Sequence, residues 1–227
     1  MKFVAISDMH NQYEKLELPK ADVLIIAGDA GISGFFDGYR FVCWLEKQPF
    51  THKIIIAGNH DGALVGDLVV NDIVDSGCAY LEDSGLEIEG IKIWGSPYTP
   101  TFRDWYFMAD RGKEIKKHWD MIPEDTDVLI THGPPKGYLD RVTDQSEELG
   151  CEELRIAIDR IKPKYHIFGH IHGGYGKEEI KGTTFINCSV CNEAYKVVNE
   201  PKLFEFNKSN SPWDKEWDGL LDNVTAE

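Results

Sequence analysis

The run Lys2-Phe3-Val4-Ala5-Ile6-Ser7-Asp8-Met9-His10 joins an apolar, β-rich segment directly to an Asp-x-His motif. Consecutive rather than alternating apolar residues predict a strand over Lys2–Ser7 that is covered on both faces. Asp8 and His10 fall where that strand ends. The same arrangement recurs along the chain. Asp22–Gly28 leads into Asp29, and Lys53–Gly58 leads into Asn59-His60-Asp61. Asp127–Thr131 leads into His132-Gly133, and Tyr165–Gly169 leads into His170-Ile171-His172-Gly173. Each of these strands runs into a loop that opens on Asp, Asn or His, usually beside glycine. Ile88–Gly95 and Thr183–Cys188 are further apolar runs of strand type.

Stretches with helical spacing lie between several of these strands. Phe35–Gln48 places Phe36, Tyr39, Val42, Cys43 and Leu45 near one face. Leu64–Asp75 and Cys151–Ile161 behave similarly, and Pro163 ends the last helix. Strands alternating with helices predict an α/β fold. The second half is richer in strands, so the expected architecture is a mixed sheet or a β-sandwich flanked by helices. Residues 99–121 are irregular and read as a helix or a cover over one edge. The acidic stretch 207–227 carries Trp213, Trp217, Leu220 and Leu221 at rough helical spacing, which suits a short packed helix after a main domain over 1–206.

The 227 residues are enough to bury a core without disulfides. A net charge of −15 disfavours a protein that coats long nucleic acid or an anionic membrane with Lys and Arg. Acidic proteins still bind anions where metal ions reverse the local field. Phe3–Ile6 is broken by Asp8 too early for a signal-peptide core, and no run approaches the ~20 apolar residues that span a bilayer. Five scattered cysteines read as reduced thiols in a cytoplasmic protein.

In open α/β sheets, ligands bind outside the carboxyl ends of the strands, so parallel neighbours would bring these loops to one rim. Asp8, His10, Asp29, Asn59, His132, His170 and His172 then offer seven oxygen or nitrogen donors and no thiolate. A tetrahedral structural zinc needs about four donors, usually with Cys. Seven suits two divalent ions that share a carboxylate, and Asp29 is the natural bridge because its two oxygens can be divided between cations. The donor types fit manganese, iron, zinc or cobalt alike; manganese is the expected ion.

With these residues the chain resembles the calcineurin-like metallophosphoesterase family. That family's pattern is D-x-H, G-D, G-N-H-[D/E], H and G-H-x-H, and it is matched here in full and in order over roughly residues 1–206. The resemblance implies a four-layer β-sandwich flanked by helices around a binuclear metal centre. One ion would be held by Asp8, His10, Asp29 and His172, and the other by Asp29, Asn59, His132 and His170. Three stretches, 131–137, 168–176 and 185–192, look like the metallophosphoesterase-domain-containing branch, whose members hydrolyse phosphodiesters including cyclic nucleotides. Some vertebrate members lack the last metal-binding His, whereas His172 is present here.

The implied activity is a phosphodiesterase acting on small, cyclic-nucleotide-type substrates. Two cations about 3.5–4 Å apart generate a bridging hydroxide at neutral pH and stabilise charge on phosphoryl oxygens. His60, one residue after Asn59, would protonate the leaving oxygen, and Asp61 would orient it. Asn59, His60 and Asn187 are the candidates for touching substrate, with Arg103, Arg111 and Lys136 as further cations. The alternatives are a phosphomonoesterase or protein phosphatase on the same centre, or a metal-binding scaffold with weak catalysis.

Overall fold

Strand β1 (Lys2–Ile6) sends its side chains into two different cores. Phe3 and Ala5 enter one, and Val4 and Ile6 enter another, because successive strand residues point to opposite faces. The computed structural model describes residues 1–143 and 147–207. Along them follow β2 (Val23–Ala27), α1 (Phe35–Glu46), β3 (His52–Ile56), α2 (Asp67–Asp75) and β4 (Ala79–Tyr80). Next come β5 (Ser84–Ile88), β6 (Ile91–Ser96), β7 (Thr99–Pro100), β8 (Met108–Ala109), α3 (Lys113–Asp120) and β9 (Val128–Thr131). The rest are α4 (Glu152–Ile161), β10 (Tyr165–Phe168), β11 (Gly176–Ile180), β12 (Thr183–Asn187) and β13 (Lys202–Glu205).

One sheet has the order β13-β1-β2-β3-β4, and the second has β11-β12-β10-β9-β6-β5. The strands β1, β2 and β3 run parallel, as do β9, β10 and β12. The sheets face each other across a core of Phe3, Ala5, Val23, Ile25, Ile54 and Ile56 against Ile93, Val128, Ile130, Ile167 and Ile186. The outer face of the first sheet is covered by Phe41, Trp44 and Leu45 of α1 and by Val69 and Ile73 of α2. The outer face of the second is covered by Ile115 and Trp119 of α3 and by Leu154, Ile158 and Ile161 of α4. Helix, sheet, sheet and helix make the four layers that the family resemblance implies, which is why the central strands read as unbroken apolar runs.

Local differences from the sequence expectations have local causes. The apolar face expected for α1 is right at Leu45, which is buried, but Phe36 and Tyr39 are 80% and 60% exposed, and Phe41 and Trp44 are buried in their place. The expected strand Ile88–Gly95 is the second arm of a hairpin, with the turn at Glu89-Gly90, both at positive φ. The expected helix Leu64–Asp75 is interrupted at Gly66, φ 112°, and α2 starts after it. The irregular stretch 99–121 contains the β7–β8 ribbon and α3. The tail expected over 207–227 lies outside the described residues after Asn207. No helix among the described residues is long and apolar enough to cross a membrane.

The two sheets are joined at their carboxyl edges. Ser7 pairs with Ser189, and Ser7 N–H donates to Cys188 O at 3.0 Å. The loops after β1, β2 and β3 therefore open onto the same rim as the loops after β9 and β10.

Candidate metal centre

Asp8 leaves the end of β1 with both carboxylate oxygens inside the protein. Its Oδ2 accepts from Ser7 Oγ and Ser189 Oγ, each at 2.6 Å, and from His170 N–H at 3.0 Å. Oδ1 faces His172 Nε2 at 3.4 Å. One oxygen is thus spent on hydroxyls while the other faces the rim. Gly169 makes this possible, since a Cβ there would overlap Asp8 Oδ2 and Ser7 Oγ.

Two histidines have their tautomers fixed by carbonyls. His132 Nδ1–H donates to Ala27 O at 2.9 Å, and His172 Nδ1–H donates to Asn192 O at 3.0 Å. A carbonyl only accepts, so in the neutral rings Nε2 carries the lone pair that faces the centre. His172 Nε2 lies 3.3 Å from His10 Nε2. Asp29, after β2, divides its oxygens: Oδ1 lies 3.4 Å from His132 Nε2, and Oδ2 lies 3.9 Å from His10 Nε2. Asn59, after β3, brings Oδ1 to 3.0 Å from His132 Nε2. The His170 ring packs edge-on to His132, with centroids 5.0 Å apart.

These side chains form three groups compact enough to hold an ion: Asp8-His10-His172, His10-Asp29-His60 and Asp8-Asp29-His132. Five of the seven expected donors, Asp8, His10, Asp29, His132 and His172, fall in these groups; Asn59 Oδ1 and the His170 ring lie beside His132 and belong to none of the three. His60 was expected as an acid rather than a donor. It lies 3.9 Å from Asp29 Oδ2 through Nε2, and its side chain is 23% exposed to the cleft. Its ring packs on Trp105 with centroids 4.0 Å apart.

The donors polarise one another. Burial works to raise the Asp8 and Asp29 carboxyls, but the neighbouring His172 and His132 hold both below the ordinary range. Burial works against charge on His132 and His172, yet the carboxylates of Asp29 and Asp8 push these rings up to about 9. His170, without a carboxylate so close, is lowered to about 4 by burial and then by His132. A buried set of oxygen and imidazole donors whose charges already pull on shared protons fits divalent cations, which replace those protons.

Asp61 has a different role from the one expected. Burial and the charge of Asp29 raise its carboxyl to about 6, and all its hydrogen bonds go to backbone. Oδ1 accepts from Gly31 N–H and Ile32 N–H at 2.8 and 2.9 Å, and Oδ2 accepts from Gly58 N–H and Ala30 N–H at 2.8 and 3.3 Å. It clamps the Asp29 loop to the Asn59 loop and is a positioning residue. Asn187 is also corrected. It is fully buried, Nδ2 donates to Ile171 O and Leu139 O, and Oδ1 accepts from Ser189 N–H, so it braces loops and does not face substrate. The guanidinium of Arg111 is tied to Glu152, Leu149 O and Gly150 O, and Lys136 to Glu152.

A cleft of about 610 Å³ opens over the centre, lined by Asp29, Asn59, His60, His170 and His172 at its floor. Its walls include Phe102, Arg103, Trp105 and Tyr195. The sequence motifs did not flag Phe102 or Trp105; their one signal is an aromatic-rich irregular stretch between two short strands.

Comparison with known proteins gives concordant matches. The family model described as calcineurin-like phosphoesterase matches residues 1–174. Metallophosphoesterase domain-containing protein 1 of Homo sapiens is 38% identical over 229 residues, covering 90% of this chain and 70% of that protein. The Mus musculus protein of the same name gives the same values. The crystal structure of a phosphopantetheinyl hydrolase from Mycobacterium tuberculosis superposes with a TM-score of 0.56 at 15% identity, covering 86% of this chain and 90% of that one, a likeness of fold.

Proposed function

Because this chain belongs to the calcineurin-like phosphoesterase family, we propose that it is a phosphodiesterase that uses two divalent metal ions on small, nucleotide-type substrates. The observation that carries this reading is the division of Asp29, whose two oxygens face different imidazoles. Asp8, His10, Asp29 and His172 would hold one ion, and Asp29, Asn59, His132 and His170 the other. Manganese is the metal we favour. When bound, such ions supply the positive charge that activates water and offsets charge on phosphoryl oxygens.

The chain's own residues do the rest. Ala27 O and Asn192 O hold His132 and His172 with Nε2 toward the centre, and Asp61 keeps the two ligand loops in register. His60 Nε2 is the atom that gives a proton to the leaving oxygen, with Trp105 bracing the ring. The cleft supports a diester over a monoester. Of the two arginines lining it, Arg111 is committed to Glu152 and backbone carbonyls, which leaves little positive charge for a phosphoryl dianion. Five free cysteines support a reducing, cytoplasmic setting.

The test is turnover of bis-p-nitrophenyl phosphate against p-nitrophenyl phosphate by metal-stripped protein and by protein reloaded with Mn²⁺. Diester turnover is expected to need the metal and to exceed monoester turnover. A strong preference for the monoester would favour a phosphomonoesterase and overturn the diester assignment. His60→Ala is expected to keep its metal content and to lose about 10²–10⁴-fold in rate on esters with poor leaving groups. Unchanged turnover on such an ester removes His60 from the mechanism.

A further inference from the structure

The imidazoles of the centre are not all held in the same way. His132 and His172 give Nδ1–H to backbone carbonyls at 2.9 and 3.0 Å. Such a hydrogen bond ordinarily sets both the tautomer and the direction of a metal-ligating ring. His10 lacks one. Its Nε2 faces His172 Nε2 at 3.3 Å and Asp29 Oδ2 at 3.9 Å, while its Nδ1 has no hydrogen-bond partner among the described residues. Ring packing takes over instead. Tyr195 stands edge-on to the His10 ring, with centroids 4.6 Å apart and planes at 70°. His60 stands edge-on to it at 4.9 Å, but the His60 side chain is itself 23% exposed to the cleft. Edge-on ring pairs at these separations are attractive, so they resist rotation of the imidazole.

Tyr195 is itself fixed from both sides. Its backbone is left-handed, φ 55°. A bulky residue keeps that conformation only where the surroundings impose it. Here Asn192 imposes it: Asn192 O accepts from Tyr195 N–H at 2.8 Å, and Asn192 Oδ1 accepts from Ala194 N–H and Lys196 N–H, each at 3.1 Å. Asn192 O is also the carbonyl that holds His172 Nδ1–H. On the other side, Gln12 Nε2 donates to Tyr195 O at 2.7 Å. Gln12 belongs to the turn that carries His10, since Gln12 N–H donates to Met9 O at 2.8 Å. Tyr195 therefore ties the loop of Asp8 and His10 to the loop that aims His172, and its ring is also edge-on to His172 at 5.5 Å.

We propose that Tyr195 is a positioning residue for one of the two ions, its ring holding His10 with Nε2 toward the centre in place of the hydrogen bond that Nδ1 lacks, a role that rests on the two-metal reading above. The ion concerned is the one assigned to Asp8, His10, Asp29 and His172. The other ion has no such support from Tyr195, whose ring contacts among the described residues are with His10, His60 and His172 and not with His132 or His170. Among the described residues the hydrogen bonds of Tyr195 all run through its backbone. The ring and not the hydroxyl is then what holds His10, so phenylalanine should serve as well. Gln12 acts one step further back, by keeping Tyr195 over the ring.

The experiment is calorimetric titration of metal-stripped protein with Mn²⁺, which reads binding and not turnover. The parent should bind in two steps, and His172→Ala marks the step that belongs to the ion beside His10. Tyr195→Ala is expected to weaken that same step by about 10–100-fold, the usual reach of groups behind a metal ligand, and to leave the other step unchanged. Tyr195→Phe should match the parent, and Gln12→Ala should weaken the marked step less than Tyr195→Ala does. Tyr195 is 50% exposed, so the thermal midpoint of the metal-stripped Tyr195→Ala protein should equal that of the parent. Unchanged affinity in Tyr195→Ala overturns the role, as does equal weakening of both steps. A Tyr195→Phe variant as weak as Tyr195→Ala overturns it too, because the hydroxyl would then be the group that matters. If the parent takes up a single ion, the two-metal reading fails. The affinity for that ion then decides the role of Tyr195 alone: a loss of about tenfold or more in Tyr195→Ala that Tyr195→Phe restores upholds it, and equal affinity overturns it.

Discussion

His166 sets up a stability switch that can be worked out atom by atom. It lies in β10 with no exposure, among Phe168 and Phe185 at ring distances of 4.8 and 5.9 Å. Thr131 Oγ1 donates its single hydrogen to Gly133 O at 2.7 Å. The 2.8 Å contact between Thr131 Oγ1 and His166 Nε2 must therefore run the other way, with Nε2–H donating. Nδ1 carries the lone pair and has no partner among the described residues. A proton on Nδ1 would create a buried charge without an acceptor, and burial accordingly lowers the His166 pKa to about 3. In the unfolded chain the ring titrates near about 6.5. Below that pH the unfolded chain takes up a proton that the folded protein refuses, so stability falls with pH until the ring titrates in the folded state near 3. Each pH unit in that window costs about 1.4 kcal/mol, so acidifying from about pH 7.5 to 4.5 removes about 2–3 kcal/mol through this one residue. His166→Leu, similar in volume and unable to titrate, is expected to escape that loss. Urea unfolding of metal-stripped parent and variant, followed by tryptophan fluorescence, measures it. The stability difference between them should move by about 2–3 kcal/mol in the variant's favour across that pH range and stay flat above about pH 7. Parallel pH profiles would refute the tautomer and the burial argument together.

Asp61→Asn turns one acceptor oxygen into an NH₂, so in either orientation two buried backbone N–H groups lose their acceptor. We expect a loss of about 2–4 kcal/mol and a thermal midpoint lower by about 4–16 °C, and an unchanged midpoint would show that the loop clamp does not carry that weight. Ser7→Ala with Ser189→Ala strips Asp8 Oδ2 of its two hydroxyl donors. Calorimetric titration with Mn²⁺ should then show affinity weaker by about 10–100-fold, the usual reach of groups behind a metal ligand, against equal affinity if the hydroxyls are incidental. Gly169→Ala forces a methyl onto Asp8 Oδ2 and Ser7 Oγ. It should cost about 1–3 kcal/mol in urea unfolding and weaken Mn²⁺ binding as well, and intact binding would mean that the Asp8 loop shifts freely.

How far the sequence could be read depended on whether one physical demand or several acted on a residue. Val4 and Ile6 face one core while Phe3 and Ala5 face another, so β1 had to be apolar throughout and was visible as such. The edge strand β11 has three exposed residues, Lys177, Glu178 and Glu179, and gave no apolar signal, since charge on an edge discourages pairing with another chain. In α1, apolar residues occupy two faces. Spacing alone allows Phe36 and Tyr39 to be buried beside Leu45, and only the position of the sheet selects Phe41 and Trp44 with Leu45 instead. At the site, the donors were legible because each ends a buried strand. Trp105 and Phe102 were not, because the loop that carries them is placed by a backbone hydrogen bond to Asn59 O, which no side chain announces. Asp61 invites a chemical reading because it follows His60, and Asn187 because it lies in a stretch like the branch's, yet burial gives both backbone to hold instead.

The donor motifs are readable for a further reason that the backbone supplies. Asp8, His10, Asn11, Asp29 and His170 all have left-handed backbones, with φ of 54°, 43°, 63°, 53° and 66°. For an L residue this costs about 1–2 kcal/mol, least for Asp, Asn and His, whose short polar side chains tolerate it. The turns persist because the loops hold one another. Asp8 N–H donates to Gly28 O at 3.0 Å, His10 N–H to Asp29 O at 3.1 Å, Asn11 N–H to Ala30 O at 2.9 Å, and His170 N–H to the Asp8 carboxylate. Each left-handed residue turns the chain sharply off its strand and across the rim, so the donor is delivered by the same bend that ends the strand. The identity of the four donors among them, Asp8, His10, Asp29 and His170, is consequently fixed twice, once by what a cation accepts and once by what a left-handed turn accepts. Glutamate satisfies the first demand and not the second. An Asp29→Glu chain would keep a carboxylate yet carry it one methylene further on a residue less suited to φ 53°. At Asp8, His10, Asp29 and His170 the short polar donor is thus as much a property of the fold as of the chemistry, and that coincidence makes the centre legible in the sequence.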